Sequence, residues 1–182
     1  MWGAFDRLHH PFNGLFKLLL VTAQRRGEVA GMKWCEIDGD GWVIPGARAK
    51  SGVGHRVPLS SLALEILDGL PRMGEHVSSC RADKPPRDFS GPKARVASLT
   101  PSIAPWVLHD LRRTAETQMR SAGIDRLVVS KLLNHAEAGV TRVYDRYAAD
   151  PEKIAAMERW ANRLRGIIAG ETDQKNGHLQ RT

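Results

Sequence analysis

Residues 34–59 constrain the fold more than any other stretch, because their apolar side chains come in short runs that glycine-containing breaks separate. The breaks read DGDG at residues 38–41 and SGVG at residues 51–54. Asp-Gly pairs supply the positive φ that tight two-residue turns require, and short apolar runs beside such turns are typical of hairpin strands. The stretch therefore predicts three short antiparallel strands.

The remainder of the chain has the character of helices. Residues 13–23 predict a buried helix, and the sequence RRGEVAGM that follows predicts a second, short one. Ser60 or Ser61 can cap a helix over LALEILDGL, since a side-chain hydroxyl satisfies the free N–H groups of a first turn. Two further helices are predicted over residues 107–123 and 124–135, the first ending at a glycine and the second capped by an aspartate at its start.

The last long segment, residues 152–170, carries an apolar stripe at helical spacing. The stripe consists of Ile154, Met157, Trp160, Leu164 and Ile167. Residues 78–102 are polar and proline-rich and predict a connection that holds a short helix at most. The fold class is therefore α+β, mainly α-helical, with a small three-stranded antiparallel sheet.

The length of 182 residues suits one buried core. The net charge of +7 favours a polyanionic partner. We expect one domain over residues 1–170 and a polar, flexible tail over residues 171–182. Cys35 and Cys80 show no CxxC spacing and are expected to be reduced thiols, with no metal site. The longest apolar run, LFKLLLVT, is too short to span a bilayer, so we expect a soluble, cytoplasmic protein.

The segment HDLRRT, residues 109–114, concentrates charge in six positions. On a helix His109 and Arg112 lie on one face, with roughly 5–6 Å between their Cβ atoms. One anionic group, most simply a phosphate, can bind between them. Arg113 is rotated by about 100° and is expected to face solvent or a DNA backbone.

Three other positions suggest chemistry, although each also has an ordinary structural interpretation. Arg25 and Glu28 are three apart near a predicted helix start and can equally form a surface ion pair. Lys50 falls at the turn between two strands, where a solvated lysine is common. LLNH, which ends at His135, is followed nine residues later by Tyr144, which can equally be a core aromatic.

Taken together and in this order, these segments resemble the catalytic domain of tyrosine recombinases, the phage integrase family, and most closely integrases of prophages and genomic islands. The resemblance runs from about residue 13 to residue 168 and depends on LLLVTAQRRGEVAGMKWCEID, AKSGVGHRVPLS, LHDLRRT, LLNH and VYDRY. It implies that Glu28 orients neighbouring side chains. The catalytic residues that it implies are Arg25, Lys50, His109, Arg112, His135 and the nucleophile Tyr144.

The sequence departs from the family pattern in three respects. Ala23 and Asn134 stand where many relatives have glycine, although neither change removes a reactive group. Family members also carry an N-terminal core-binding domain, and often an arm-binding domain. Since the catalytic segment begins almost at once here, we expect the core-binding domain to be absent from this chain.

The reaction implied by the resemblance is a transesterification in which the Tyr144 hydroxyl attacks a DNA phosphodiester. A free tyrosine has a pKa of about 10, so a base must take its proton, and His109 is the candidate. Arg25 and Arg112 would stabilise the pentacoordinate transition state, because a guanidinium donates two parallel hydrogen bonds to neighbouring oxygens. Lys50 would protonate the leaving 5′-oxygen, and His135 would donate to a nonbridging oxygen. No metal, nucleotide or redox cofactor is required.

Double-stranded DNA is the expected partner, bound by a tetramer at attachment sites, whereas the free protein is expected to be a monomer. About six neutralised phosphates would give a slope near −5 for log K against log salt. Two alternatives remain open from the sequence. A type IB topoisomerase uses nearly the same residues to relax DNA, and a decayed or incomplete integrase would bind DNA without cleaving it.

Overall fold

The computed structural model describes residues 1–50, 52–79, 84–135 and 150–171. Within these ranges a 3-10 turn at Trp34–Glu36 leads into a small sheet, and the other elements are helices. The strands are β1 (Ile37–Asp38), β2 (Gly41–Ile44) and β3 (His55–Pro58). The helices are α1 (Trp2–Asp6), α2 (Phe12–Thr22), α3 (Arg26–Ala30), α4 (Ser61–Asp68), α5 (Ser90–Leu99), α6 (Leu108–Ser121), α7 (Arg126–Leu132) and α8 (Pro151–Ala169).

The three strands form one antiparallel sheet in the order β1-β2-β3, which confirms the predicted meander. Trp42 of β2 lies opposite Val57 of β3, and both side chains are fully buried. The ten-residue connection between β2 and β3, residues 45–54, contains the predicted turn lysine. The SGVG break thus belongs to a longer loop than a two-residue turn.

Helix α2 lies at the centre of the core, packed against α1, α3, α4, α6 and α8. Leu15, Phe16 and Leu18 have no exposed surface. The apolar run of α2 is nearly continuous because a helix that neighbours cover on several sides has no polar face. The helix ends at Ala23, whose φ of 56° is left-handed, so the chain turns sharply just before Gln24.

The apolar stripe of α8 packs against this same core rather than standing free. Met157, Trp160 and Leu164 are buried, and the Trp160 indole N–H donates to a carbonyl of α2 at 3.3 Å. Ile154 is half-buried, whereas Ile167, at the end of the stripe, is 43% exposed. The helix therefore contributes to the core of its own chain.

Most predicted helix ends agree with the structure. Ser60 caps α4 and Asp125 caps α7 through their side chains, and Gly123 takes the positive φ of 75° that ends the α6 region. The polar connection holds α5, a helix of ten residues with only Val96 buried. Over the described ranges, no helix is both long and apolar enough to cross a membrane.

Candidate functional site

A cleft of about 550 Å³ opens beside the start of α3 and the first turn of α6. Five of its lining residues are Arg or Lys and one is Asp, so the cleft is strongly cationic. Its lining consists of Gln24, Arg25, Arg26, Arg87, Asp88, Phe89, Ser90, Lys93, Val107, Leu108, His109 and Arg112. Three of the residues singled out from the sequence, Arg25, His109 and Arg112, therefore share one cavity.

Arg112 is the most deeply placed of these cations, with 4% of the residue exposed. Its guanidinium donates to the carbonyl of Ala23 at 2.8 Å and to the carbonyl of Leu133 at 2.5 Å. Burial, together with the nearby Arg25 cation, lowers the pKa of Arg112 to about 10, which leaves it charged at neutral pH. Since a guanidinium has five N–H donors, donors remain for an anion in the cleft.

Arg25 precedes α3 and is held by the carboxylate three residues later. Glu28 is 2% exposed; its carboxylate accepts the Arg25 backbone N–H at 3.0 Å and the Arg25 guanidinium at 3.2 Å. A second guanidinium nitrogen donates to the carbonyl of Asn134 at 3.4 Å. The pair is therefore not a surface ion pair, because its carboxylate is buried and it fixes both the backbone and the side chain of Arg25.

His109 lies exposed in the first turn of α6. The N-cap residue of this helix is Val107, and the Asp110 carboxylate accepts the Val107 backbone N–H at 2.8 Å. Arg113 faces solvent, with 72% of its side chain exposed and an ion pair to Asp110 at 3.4 Å. The predicted division between an inward-facing Arg112 and an outward-facing Arg113 is confirmed.

His135 follows α7, and its backbone N–H donates to the carbonyl of Ser130 at 3.1 Å. Desolvation of the ring lowers its pKa, and the Arg112 and Arg25 cations lower it further. The lowered pKa favours the neutral ring, which offers one N–H donor. Leu133 and Asn134, just before it, supply carbonyls to the two arginines, which ties this end of α7 to the cleft.

Two predicted catalytic residues that the structure describes, His135 and Lys50, do not line the cleft. Lys50 is exposed on the β2–β3 loop and is absent from the cleft lining. Tyr144 lies outside the described residues, so its predicted role stays a prediction. Within the described ranges, no group of three His, Cys, Asp or Glu side chains could hold a metal ion.

Sequence reasoning missed a buried polar network beside the arginines, formed by Gln24, His55 and Asn134. The His55 ring is 7% exposed and lies 3.0 Å from the Asn134 amide nitrogen and 3.4 Å from the Gln24 amide oxygen. Burial lowers the pKa of His55 to about 4. The signal available in the sequence was a histidine at the start of a predicted strand, but a strand pattern does not indicate the distant partners of its side chains.

Arg26, Arg87 and Lys93 are the outer cations of the cleft. Two of them lie over aromatic rings. The Arg26 guanidinium lies 5.3 Å from the centre of the Phe89 ring, and the Lys93 ammonium lies 5.6 Å from that of Trp106. Among the described residues, neither of these cations nor Arg87 pairs with a carboxylate. Their charge is available to an anion that enters the cleft.

Comparison with known proteins gives matches over most of the chain. The model of the phage integrase family matches residues 6–150. The prophage integrase IntA of Escherichia coli K12 is 31% identical over 163 residues, which are 86% of this chain and 39% of the relative. The chain thus spans about two fifths of that curated relative.

Solved structures share the fold at lower identity. The integrase of mycobacterium phage Brujita superposes with a TM-score of 0.67 at 23% identity, covering 85% of this chain and 53% of that one. The catalytic domain of bacteriophage HP1 integrase gives 0.56 at 17% identity, covering 97% and 92%. A lambda integrase tetramer bound to a Holliday junction gives 0.59 at 19% identity, covering 80% and 46%. The expected catalytic-domain fold is confirmed.

Proposed function

Because the chain belongs to the phage integrase family, we propose that it cleaves and rejoins DNA in the site-specific recombination of a prophage or genomic island. The observation that carries the proposal is the cleft itself, in which Arg25 and Arg112 are fixed by hydrogen bonds and still retain donors for a phosphate. Such preorganised donors stabilise charge that develops in a transition state, and each is worth about 10²–10³ in rate.

The proposed reaction assigns one role to each residue. The Tyr144 oxygen attacks phosphorus while His109 accepts its proton, and the bond from phosphorus to the 5′-oxygen breaks. Lys50 gives a proton to that oxygen, which leaves a 3′-phosphotyrosine and a free 5′-hydroxyl. Arg25 and Arg112 bind nonbridging oxygens, His135 donates a further hydrogen bond, and Glu28 holds Arg25 in place; rejoining reverses these steps.

The proposed substrate is double-stranded DNA at attachment sites, bound by four copies of the chain. The similarity to a lambda integrase tetramer on a Holliday junction and to XerH recombinase on its difH substrate supports this assembly. In free solution we expect a monomer, which light scattering without DNA would test, and a cytoplasmic, DNA-associated protein. The family match and the curated relative are both integrases, and neither favours the topoisomerase alternative.

Covalent capture tests the proposed function directly. The protein is incubated with a pool of duplexes that have a randomised core and a nick close to it, so that the released 5′-hydroxyl strand diffuses away and the adduct accumulates. We expect a phosphotyrosyl adduct whose attached DNA, once sequenced, shows a shared core sequence. The absence of an adduct would contradict the proposal and favour a DNA-binding protein without cleavage activity.

The tyrosine substitutions identify the nucleophile, since Tyr144 and Tyr147 are the two tyrosines of the chain. Tyr144→Phe removes one oxygen and no charge, and should abolish the adduct while leaving DNA affinity nearly unchanged. Tyr147→Phe is the matched control and should still form the adduct. An adduct mapped to Tyr147 would overturn the assignment.

A further inference from the structure

The loop that carries Lys50 is anchored on both sides of the lysine. On the incoming side, the Arg48 guanidinium pairs with the Glu36 carboxylate at 2.5 Å and also donates to the carbonyl of Gly31. On the outgoing side, the Asn134 amide nitrogen donates to the carbonyl of Val53 at 3.3 Å. Lys50 therefore lies on a short span between two fixed points, although its own side chain is exposed.

The Asn134 amide, which holds the outgoing side of the loop, also belongs to the polar network of Gln24, His55 and Asn134 beside the arginines. The Asn134 amide nitrogen also lies 3.0 Å from Nδ1 of His55, and the opposite nitrogen, Nε2, lies 3.4 Å from the Gln24 amide oxygen. The Gln24 amide nitrogen donates to the carbonyls of Leu132 and Thr22, each at 3.0 Å. Since Nδ1 accepts and Nε2 donates, a neutral ring with its proton on Nε2 satisfies every bond.

The backbone at Asn134 explains why its side chain can reach the loop. Its φ of 47° is left-handed, a conformation that favours glycine and that asparagine tolerates better than most residues. The Asn134 carbonyl accepts from the Arg25 guanidinium at 3.4 Å while its amide contacts the loop. One residue thus connects an arginine of the cleft, the segment that leads to His135, and the loop that carries Lys50.

We propose that Asn134 is a positioning residue for Lys50, holding the outgoing side of the β2–β3 loop so that the ammonium group reaches the 5′-oxygen that leaves during cleavage. The proposal rests on the proposed function, in which Lys50 supplies that proton. A glycine at this position would keep the backbone but provide no amide for Val53 and His55. The role therefore belongs to the asparagine side chain.

Replacing the leaving oxygen by sulfur separates positioning of Lys50 from general damage. In a 5′-bridging phosphorothiolate, the Tyr144 oxygen still bonds to phosphorus, but the bond that breaks is phosphorus to sulfur. The thiolate that departs is stable without a proton, so a donor for the leaving group is not needed. A defect that acts through Lys50 disappears on this substrate, whereas a defect in folding, DNA binding or the arginines persists.

The experiment measures single-turnover cleavage of two substrates. One is ordinary DNA that carries the core sequence identified by covalent capture, and the other is the same DNA with the 5′-bridging phosphorothiolate at the cleavage site. Asn134→Gly should be about 10–100-fold slower than wild type on ordinary DNA, within the range of general acid catalysis, and within about twofold on the phosphorothiolate. Lys50→Ala should show the same pattern, more strongly. The double variant should be no slower than Lys50→Ala alone, because both changes remove the same proton transfer.

Ala23→Gly is the matched control for the backbone. It introduces glycine at the other left-handed position beside the cleft, φ 56°, without deleting a side-chain hydrogen bond, so the ratio of its two rates should equal that of wild type. An Asn134→Gly variant that is equally slow on both substrates, or as fast as wild type on both, would overturn the proposal. A wild-type protein that cleaves neither substrate would instead defeat the proposed function, and a Lys50→Ala defect that sulfur does not rescue would defeat the role of Lys50.

Discussion

The cations of the cleft form two groups that differ in what holds them. The inner pair, Arg25 and Arg112, is fixed by hydrogen bonds to a buried carboxylate and to backbone carbonyls. The outer cations, Arg26, Arg87 and Lys93, make no such bonds among the described residues, and two of them rest on aromatic rings. Hydrogen bonds are directional and constrain the orientation of a guanidinium, whereas a contact with the face of a ring constrains it less. Under the proposed function, we therefore assign catalysis to the inner pair and affinity for the DNA backbone to the outer cations.

The largest expected effect is on the inner pair. Arg112→Lys should slow adduct formation by about 10²–10³, roughly 3–4 kcal/mol of barrier, because an ammonium cannot serve two carbonyls and a phosphate in one plane. Rapid-quench measurement at saturating DNA gives the rate. Arg113→Lys, one residue away but exposed, is the control and should stay within about twofold of wild type. Equal losses in both variants would remove the distinction between inner and outer positions.

The second prediction concerns the buried network of Gln24, His55 and Asn134 that lies beside the inner pair. The pKa of His55 falls from 6.5 to about 4, chiefly through burial, with Arg25, Arg112 and Lys153 adding to the effect and Glu28 opposing it. As the pH falls below 6.5, His55 becomes protonated in the unfolded chain while it stays neutral in the folded chain. Its contribution to the free energy of unfolding is therefore fully present above pH 6.5 and is lost as the pH falls towards 4. The loss should approach about 3 kcal/mol.

Urea unfolding at about pH 7 and about pH 4.5, on either side of most of this titration, measures the loss. Carboxylates also titrate in that range, so the informative quantity is the difference from His55→Asn, which retains an acceptor for the Asn134 amide but has no ring to protonate. His9→Asn, at an exposed histidine, should keep the wild-type pH dependence. Identical pH dependence in wild type and His55→Asn would mean that the network is not the acid-sensitive part of the fold.

A smaller effect is expected for Glu28→Gln. The substitution keeps the shape of the side chain but replaces one acceptor oxygen by an amide that faces the donors of Arg25. We expect a rate about tenfold lower and a free energy of unfolding lower by about 1–2 kcal/mol, since a buried polar group is left without a partner. Stability and adduct rate are measured on the same preparation. A stability loss without a rate loss would show that Glu28 supports only the fold.

The smallest expected effect is on the outer cations. The variant Arg26→Ala/Arg87→Ala should keep its cleavage rate at saturating DNA within about twofold of wild type. Its slope of log K against log salt should become less steep by about 0.9 for each phosphate that the variant no longer neutralises. Fluorescence anisotropy across a salt series measures the slope. Arg165→Ala, outside the cleft and paired with Glu65, should leave the slope unchanged; an unchanged slope in the double variant would assign DNA affinity to another surface.

The elements with strong local signals could be predicted from sequence. The sheet followed from glycine-containing breaks, α2 from its apolar run, and the start of α7 from Asp125, because turn and cap preferences act within a few residues. Helix α5 is harder to predict from the sequence, since its single buried side chain, Val96, gives no periodic pattern. Helix α1 has only five residues, too few for a periodic pattern, and was not predicted.

The candidate site was predictable only in part, for a related reason. Arg25, Glu28 and Arg112 stand in recognisable motifs, and the structure gathers the two arginines in one cleft. The network of Gln24, His55 and Asn134 depends on contacts between residues far apart in sequence, which no local pattern reports. In the sequence, Asn134 is notable only because many relatives have glycine there. The contacts of its side chain with Val53 and His55 are seen only in the folded structure.

The two carbonyls that hold Arg112 come from the C-terminal ends of α2 and α7. Helix ends ordinarily fray, and their amides exchange with solvent far sooner than those of the core. Here, fraying of either end would withdraw an acceptor and leave a buried guanidinium partly unbonded. Opening of these last turns is therefore coupled to release of the Arg112 side chain. The terminal amides of α7 should then exchange as slowly as those of buried α2, and the cleft should stay assembled until the domain itself unfolds.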